Sequence, residues 1–279
     1  MKLSRRAFNQ LIAATAVSST AGLVQQPVAP SPPAYDEPWM PLFNGRNLDG
    51  WSFYQEGVGQ KDTNNAIMVE KGEIHMLGPR YRPTGTPYGH IATVAEYGDY
   101  HLRLEYRFGK TRFGPRLLAK RNSRVLYHMY PQRDRVWPNS IEFQLEESDV
   151  GDAILINARC YPGVDLGGTP SLPTQIPLEP RPVFTTPPEP RQPIERQRIF
   201  KNGNFERLQQ WNTIELLAIG NTAAHMVNGR IVASLYDIEG QGVEDRNRYA
   251  PLTRGRIGLE LECAEVFFRR VEIRRFARV

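Results

Sequence analysis

The chain repeats one pattern over most of its length: short runs in which apolar and polar residues alternate, separated by glycine, asparagine and proline. Tyr100 to Phe108 (YHLRLEYRF) alternates over nine residues, a period of two that predicts a long strand with one packed face. Ile67 to Val69 and Glu73 to Met76 predict a hairpin through Lys71-Gly72, and Ala223 to Val227 and Arg230 to Ser234 flank the turn Asn228-Gly229. Further strands are predicted over Arg124 to Tyr130, Ser140 to Glu146, Ala153 to Ala158, Trp211 to Ala218, Arg256 to Leu261 and Glu265 to Arg274. No segment keeps a helical period over three turns. Many strands at short spacing predict an all-β fold, an antiparallel two-sheet sandwich.

Val136 to Asp152 (VWPNSIEFQLEESDVGD) concentrates the polar chemistry. Its alternation places Ile141, Phe143 and Leu145 on one face and Glu142, Gln144 and Glu146 on the other. A strand face carrying two carboxylates and an amide is either a solvated outer face or a binding surface. One stretch interrupts the strands. Pro162 to Pro193 holds ten prolines, which cannot donate to a sheet ladder, so it reads as a surface insertion, either a flap over a site or an excursion without one.

Composition narrows the setting. The formal charge is +5, but Lys2, Arg5 and Arg6 supply three of those charges, and no basic stripe with interleaved aromatics argues for nucleic acid. Ser4-Arg5-Arg6-Ala7-Phe8, followed by the apolar run Leu11 to Val17, has the form of a twin-arginine export signal; the run is shorter than the roughly 20 residues of a bilayer span. The expected organisation is therefore a signal and the start of a tether over 1–29, a proline-rich linker over 30–39, and one sandwich domain over 40–279 with its insertion at about 162–205. The expected location is the periplasm, with no membrane span after processing. Cys160 and Cys263 then meet an oxidising compartment, as one disulfide or as two buried thiols.

The pieces LFNGRNLDGW, YHLRLEYRF, VWPNSIEFQLEESDVGD, WNTIELLAIG, AHMVNG and GRIGLELECAEVFFRRVEI, in that order over most of Pro41 to Ile273, resemble the family of 3-keto-disaccharide hydrolases, also described as 3-keto-glucoside lyase/hydratase domains. The resemblance implies a concanavalin A-like jelly roll. It also implies a carbohydrate substrate made available by a separate sugar 3-oxidoreductase. This chain departs from the family pattern at Arg124, where glycine is usual, and at Glu260, Cys263 and Arg270, where glutamine, glycine and asparagine are usual. A ketone at carbon 3 acidifies the hydrogen on carbon 2. Its removal expels the glycosidic oxygen from carbon 1, and water then adds to the glucal. That chemistry needs a base, a group to hold the enolate oxygen and an acid for the leaving group.

Glu142 is the first candidate for the base or for a metal-binding carboxylate, with Gln144 and Glu146 as substrate-binding neighbours. His128 and His225 are candidate proton carriers or, equally, structural histidines. Trp137 and Tyr127 are candidate platforms for sugar rings; Trp211 is expected in the core. Arg107 and Arg269 either bind sugar hydroxyls or pair with carboxylates such as Glu105 and Glu265. A divalent metal would suit the enolate step, and calcium held by Asp149 and Asp152 is a separate structural possibility, although no compact ligand motif is present. Two other readings stay open. One is a retaining glycosidase using Glu142 and Glu146, four residues apart at about 13 Å along a strand and needing roughly 5 Å. The other is a carbohydrate-binding module that binds without turnover.

Overall fold

The computed structural model describes residues 38–130, 134–162, 193–195 and 197–276. The leader, nearly all of the linker and most of the proline-rich insertion fall outside these. The described residues contain eighteen strands and no helix: β1 (Met40–Pro41), β2 (Trp51–Gln55), β3 (Ile67–Glu70), β4 (Glu73–Met76), β5 (Tyr88–Thr93), β6 (Tyr100–Arg112), β7 (Arg124–Tyr130), β8 (Asn139–Gln144), β9 (Ala153–Ile156), β10 (Ala158–Pro162), β11 (Ile194–Glu195), β12 (Arg198–Ile199), β13 (Asn212–Ile219), β14 (Thr222–Val227), β15 (Arg230–Gln241), β16 (Tyr249–Pro251), β17 (Arg256–Glu262) and β18 (Ala264–Arg275).

They form two antiparallel sheets. The larger runs β11-β10-β15-β14-β13-β6-β18-β4-β3, with β1 on β18 and β16 on β15; the smaller runs β12-β9-β8-β7-β17-β5-β2. Neighbours in space are mostly distant in sequence, which is the connectivity of a jelly roll. The core lies between the sheets and takes alternate residues from each: Leu104, Tyr106 and Phe108 from β6, Val125 and Tyr127 from β7, Ile141 and Phe143 from β8, Leu259 and Leu261 from β17. Each such side chain stabilises the fold by about 1.5–3 kcal/mol through burial. The same alternation aims the polar residues of the smaller sheet outward, on the face away from the larger sheet.

Two departures from simple alternation matter for function. The predicted strand over Ala153 to Ala158 is two strands, because Asn157 adopts a left-handed conformation (φ 50°) and the chain crosses from the smaller sheet into the larger. In β7 the register against β8 slips between Tyr127 and Tyr130, and His128 sits in the bulge at φ 54°. The bulge puts His128 beside Tyr127 and against Tyr100 of the larger sheet, ring centroids 5.3 and 6.1 Å away, so two consecutive side chains enter the core.

Gly255 makes the bulge possible. A Cβ there would lie 2.6 Å from the His128 Cα, backbone that cannot swing aside. Gly255→Ala is expected to destabilise the domain by about 1–3 kcal/mol, read as a lower urea midpoint at unchanged slope. An unchanged midpoint would show that the bulge yields freely.

Both cysteines are buried free thiols. Cys160 lies in β10 of the larger sheet, whereas Cys263 joins β17 to β18. The disulfide alternative therefore does not form.

Candidate functional site

Strand register assembles the site. On the outward face of the smaller sheet, Tyr54 of β2 pairs with His90 of β5, His90 with Glu260 of β17, and Arg124 of β7 with Gln144 of β8. One row to one side, Leu126 pairs with Glu142, and one row to the other, Tyr88 pairs with Glu262. Directly opposed residues on paired strands share a face. Five strands that are scattered in sequence thus present one polar patch.

Arg124 is its centre. The guanidinium Nη1 donates to Glu260 Oε2 at 2.8 Å, and Nε donates to Gln144 Oε1 at 3.0 Å. Nε also lies 2.6 Å from Glu142 Oε2, and Nη1 is in contact with Glu262. Gln144 is oriented from its other end, donating to Asn122 Oδ1 at 2.9 Å. The Glu260 and Glu262 side chains are 0% and 3% exposed, and Glu142 is 3% exposed, so three buried carboxyls share one partly buried cation. Among the described residues only Glu262 has a second salt-bridge partner, Arg116 at 3.2 Å.

Charge balance then dictates protonation. Burial raises the Glu142 carboxyl to about 7, against the opposing pull of Arg124. Burial also raises Glu260 well above the ordinary carboxylate range, with Arg124 again opposing and Glu262 adding to the rise. For Arg124, burial alone would lower the guanidinium; the carboxylates of Glu260, Glu142 and Glu262 outweigh it and hold the group charged. The patch therefore holds at least one exchangeable proton near neutrality. Glu142 Oε2 and Glu262 Oε2 face the Arg124 guanidinium, whereas Glu260 Oε1 is buried without a hydrogen-bond partner.

Around this centre lie an imidazole and two rings. His90 is 1% exposed, and burial, with Arg256 nearby, lowers it to about 4, so it is neutral at pH 7; its Nδ1 has no hydrogen-bond partner. Trp137 is 46% exposed and lies 5.8 Å from the Tyr88 ring, itself opposite Glu262. The exposed indole offers a flat apolar face with a polar N–H beside the buried carboxylates. Glu146 lies just past β8, where Arg116 (3.2 Å) and Arg198 (3.0 Å) hold it. His90, Arg124, Glu260 and Glu262 were missed as site residues. The signal was available in Arg256 to Glu262 (RIGLELE), where Glu260 and Glu262 alternate with Leu259 and Leu261.

The structure separates the remaining candidates from this group. His128 is on the core side through its bulge, fully buried, and lowered by burial to about 3. His225 stacks on Phe143 at 4.2 Å in the core, with Nδ1 3.0 Å from the Gly151 carbonyl and Nε2 3.1 Å from Tyr127 Oη. Tyr127 is fully buried there and offers no ring to a sugar. Arg107 and Arg269 belong to the outer face of the larger sheet. Arg269 pairs with Glu105 at 2.6 Å, and both arginines stack on Trp211, at 5.0 and 4.0 Å. Trp211 therefore leaves the core it was expected to join, because the two guanidiniums cover it outside. Glu265 pairs with His75 instead, at 2.8 Å. Asp149 is engaged by Lys120 (2.8 Å) and Asp152 by Arg198 (2.6 Å), so cationic side chains occupy the proposed calcium ligands. Among the described residues, no three of His, Cys, Asp and Glu are grouped to hold a metal ion.

Residues 38–274 match the family described as the 3-keto-alpha-glucoside-1,2-lyase-like domain. No curated protein matches the chain. Similar solved structures include a candidate glycosyl hydrolase from Parabacteroides distasonis, 18% identical, covering 86% of this chain and 94% of that one with a TM-score of 0.50. They also include a carbohydrate-binding module from Bacillus subtilis (9% identical, 81% and 95% covered, TM-score 0.46) and the Bacillus licheniformis β-glucanase (13%, 86% and 97%, TM-score 0.43). The first of these likenesses shows a shared fold.

Proposed function

Because the chain belongs to the 3-keto-alpha-glucoside-1,2-lyase-like family, whose description makes it a carbohydrate-acting domain, we propose that it cleaves 3-keto-glucosides or 3-keto-disaccharides by elimination and hydration at the Arg124 patch. The observation that carries this reading is the buried carboxyl group Glu142, raised to about 7 beside Glu260, Glu262 and one guanidinium. A carboxyl that titrates near neutrality serves as base in one step and acid in the next.

In this mechanism Trp137 and Tyr88 hold the sugar ring by stacking, and the carboxyl groups of the patch and Gln144 hold its hydroxyls. Ionised Glu142 takes the proton from carbon 2; the carbon 1–carbon 2 double bond forms, and the bond from carbon 1 to the glycosidic oxygen breaks. The leaving oxygen takes a proton from the carboxyl group cluster. Water then adds its hydroxyl to carbon 1, and a proton returns to carbon 2. The Arg124 guanidinium is the group proposed to hold the enolate oxygen, since it stays charged among its carboxyl neighbours. A separate sugar 3-oxidoreductase is required upstream. The Ser4-Arg5-Arg6 leader supports a location in the cell envelope.

The test is incubation of the purified protein with 3-keto-trehalose and with trehalose, following release of the keto-hexose by mass spectrometry. Release from the keto-sugar alone is expected, with KM raised about tenfold or more in Trp137→Ala through lost stacking. Cleavage of unoxidised trehalose would point instead to ordinary glycoside hydrolysis. Binding without turnover would make this a carbohydrate-binding module.

A further inference from the structure

A polar cavity lined by none of the Arg124 patch residues lies at the N-terminal end of β8. It measures about 280 Å³ and is lined by Arg135, Asn139, Asn157, Gln241, Val243 and Arg246, with Gly242 beside them. Three carboxamides, two guanidiniums and one aliphatic side chain make this a lining for a hydrophilic ligand, and no carboxylate is among them. Arg248, two residues from Arg246, is paired with Asp245 at 3.3 Å, whereas neither Arg135 nor Arg246 has a salt-bridge partner among the described residues. Two guanidiniums without an ion pair among the described residues leave donors at the cavity that suit an anion.

The lining is arranged in advance. Asn157 donates from Nδ2 to Asn139 Oδ1 at 2.8 Å, and its carbonyl accepts from the Gln241 backbone at 2.9 Å. Gln241 donates from Nε2 to the Arg246 carbonyl at 2.7 Å, and Tyr130 Oη donates to the Gln241 carbonyl at 2.8 Å. The 242–248 turn closes on itself through Gly242 N to Arg248 O, also 2.8 Å. These bonds fix the floor and rim, so little ordering opposes binding. The volume, just below the usual range of ligand pockets, suits one sugar ring and not a longer chain.

We propose that this cavity is a second ligand site, for a single-ring sugar bearing an oxyanion, with Arg135 and Arg246 on the charged group and the carboxamides on the hydroxyls. A guanidinium pairs with two oxygens of a carboxylate or phosphate at once, which gives the site its selectivity over neutral sugars. This inference is independent of the lyase reading, because none of its residues belongs to the Arg124 patch.

Calorimetric titration of the full chain with glucuronate, glucose 6-phosphate, glucose and inorganic phosphate tests it. Binding of glucuronate or glucose 6-phosphate is expected, with none to glucose; which of the two binds identifies an acidic glycan or a phosphorylated sugar as the source. Both arginines are exposed, so Arg135→Gln and Arg246→Gln should fold normally and weaken binding roughly tenfold for each guanidinium removed. Failure of both anionic sugars to bind, binding that survives the double substitution, or inorganic phosphate binding as tightly as the sugars would overturn the proposal.

Discussion

Arg124→Gln is expected to be the most damaging single substitution in the domain, costing about 3–5 kcal/mol at pH 8. The guanidinium is the shared counter-ion of Glu142, Glu260 and Glu262, all buried, and glutamine supplies neither charge nor fork. The cost must depend on pH. In the wild type Glu142 and Glu260 are already raised above their unfolded values, so their contribution is present below about 4.5 and is lost as pH rises through the folded values. Without Arg124 both folded values rise further, and the loss on raising pH becomes steeper. The gap in urea midpoint between wild type and variant should therefore widen from pH 5 to pH 8. A constant gap would mean that Arg124 acts by packing alone, and an unchanged midpoint would remove it from the centre of the patch.

The fold was legible because alternation is preserved wherever one face of a strand packs. Tyr100 to Phe108, Arg124 to Tyr130 and the Lys71-Gly72 hairpin are all found where the pattern places them. Failures have local causes. β5 (YGHIAT) carries a glycine and an alanine among its alternating residues, so its two faces look alike in sequence, and His90 went unnoticed on the outward one. His128 follows Arg124 and Leu126 at a spacing of two, which argues for the outward face; the positive φ of the bulge reverses it. No residue pattern announces that reversal, since the glycine that permits it, Gly255, is more than a hundred positions away in the chain.

The site was legible only by halves. Glu142 and Gln144 stand out as polar residues on a strand, but their partners come from β7 and β17, and only register brings those together. Arg124 and Glu260, both read from the resemblance as departures from the family pattern, pair at 2.8 Å. The other two departures fall at left-handed backbone positions. Cys263 and Arg270 both have positive φ, 56° and 51°, a conformation that glycine and asparagine adopt readily and that other side chains adopt under strain.

Glu142→Gln should separate chemistry from stability. Gln keeps the size and an acceptor oxygen but cannot take the proton from carbon 2, so keto-sugar cleavage is expected to fall by about 10²–10⁴-fold in kcat, with KM little changed. In the wild type kcat/KM should rise with pH up to about 7 and then level, because the ionised carboxylate is the base. The variant should lose that dependence. Stability moves the other way. Glu142 is protonated below about 7 in the fold and ionises above it, whereas the unfolded chain ionises near the ordinary 4.5. Between those values wild-type stability falls with rising pH, by something on the order of 3 kcal/mol at most. A neutral amide escapes that fall, so the variant should match or exceed the wild-type urea midpoint at pH 8 while being nearly inactive. Activity lost together with stability would indicate a structural carboxyl, and activity retained would move the base to another member of the Arg124 patch.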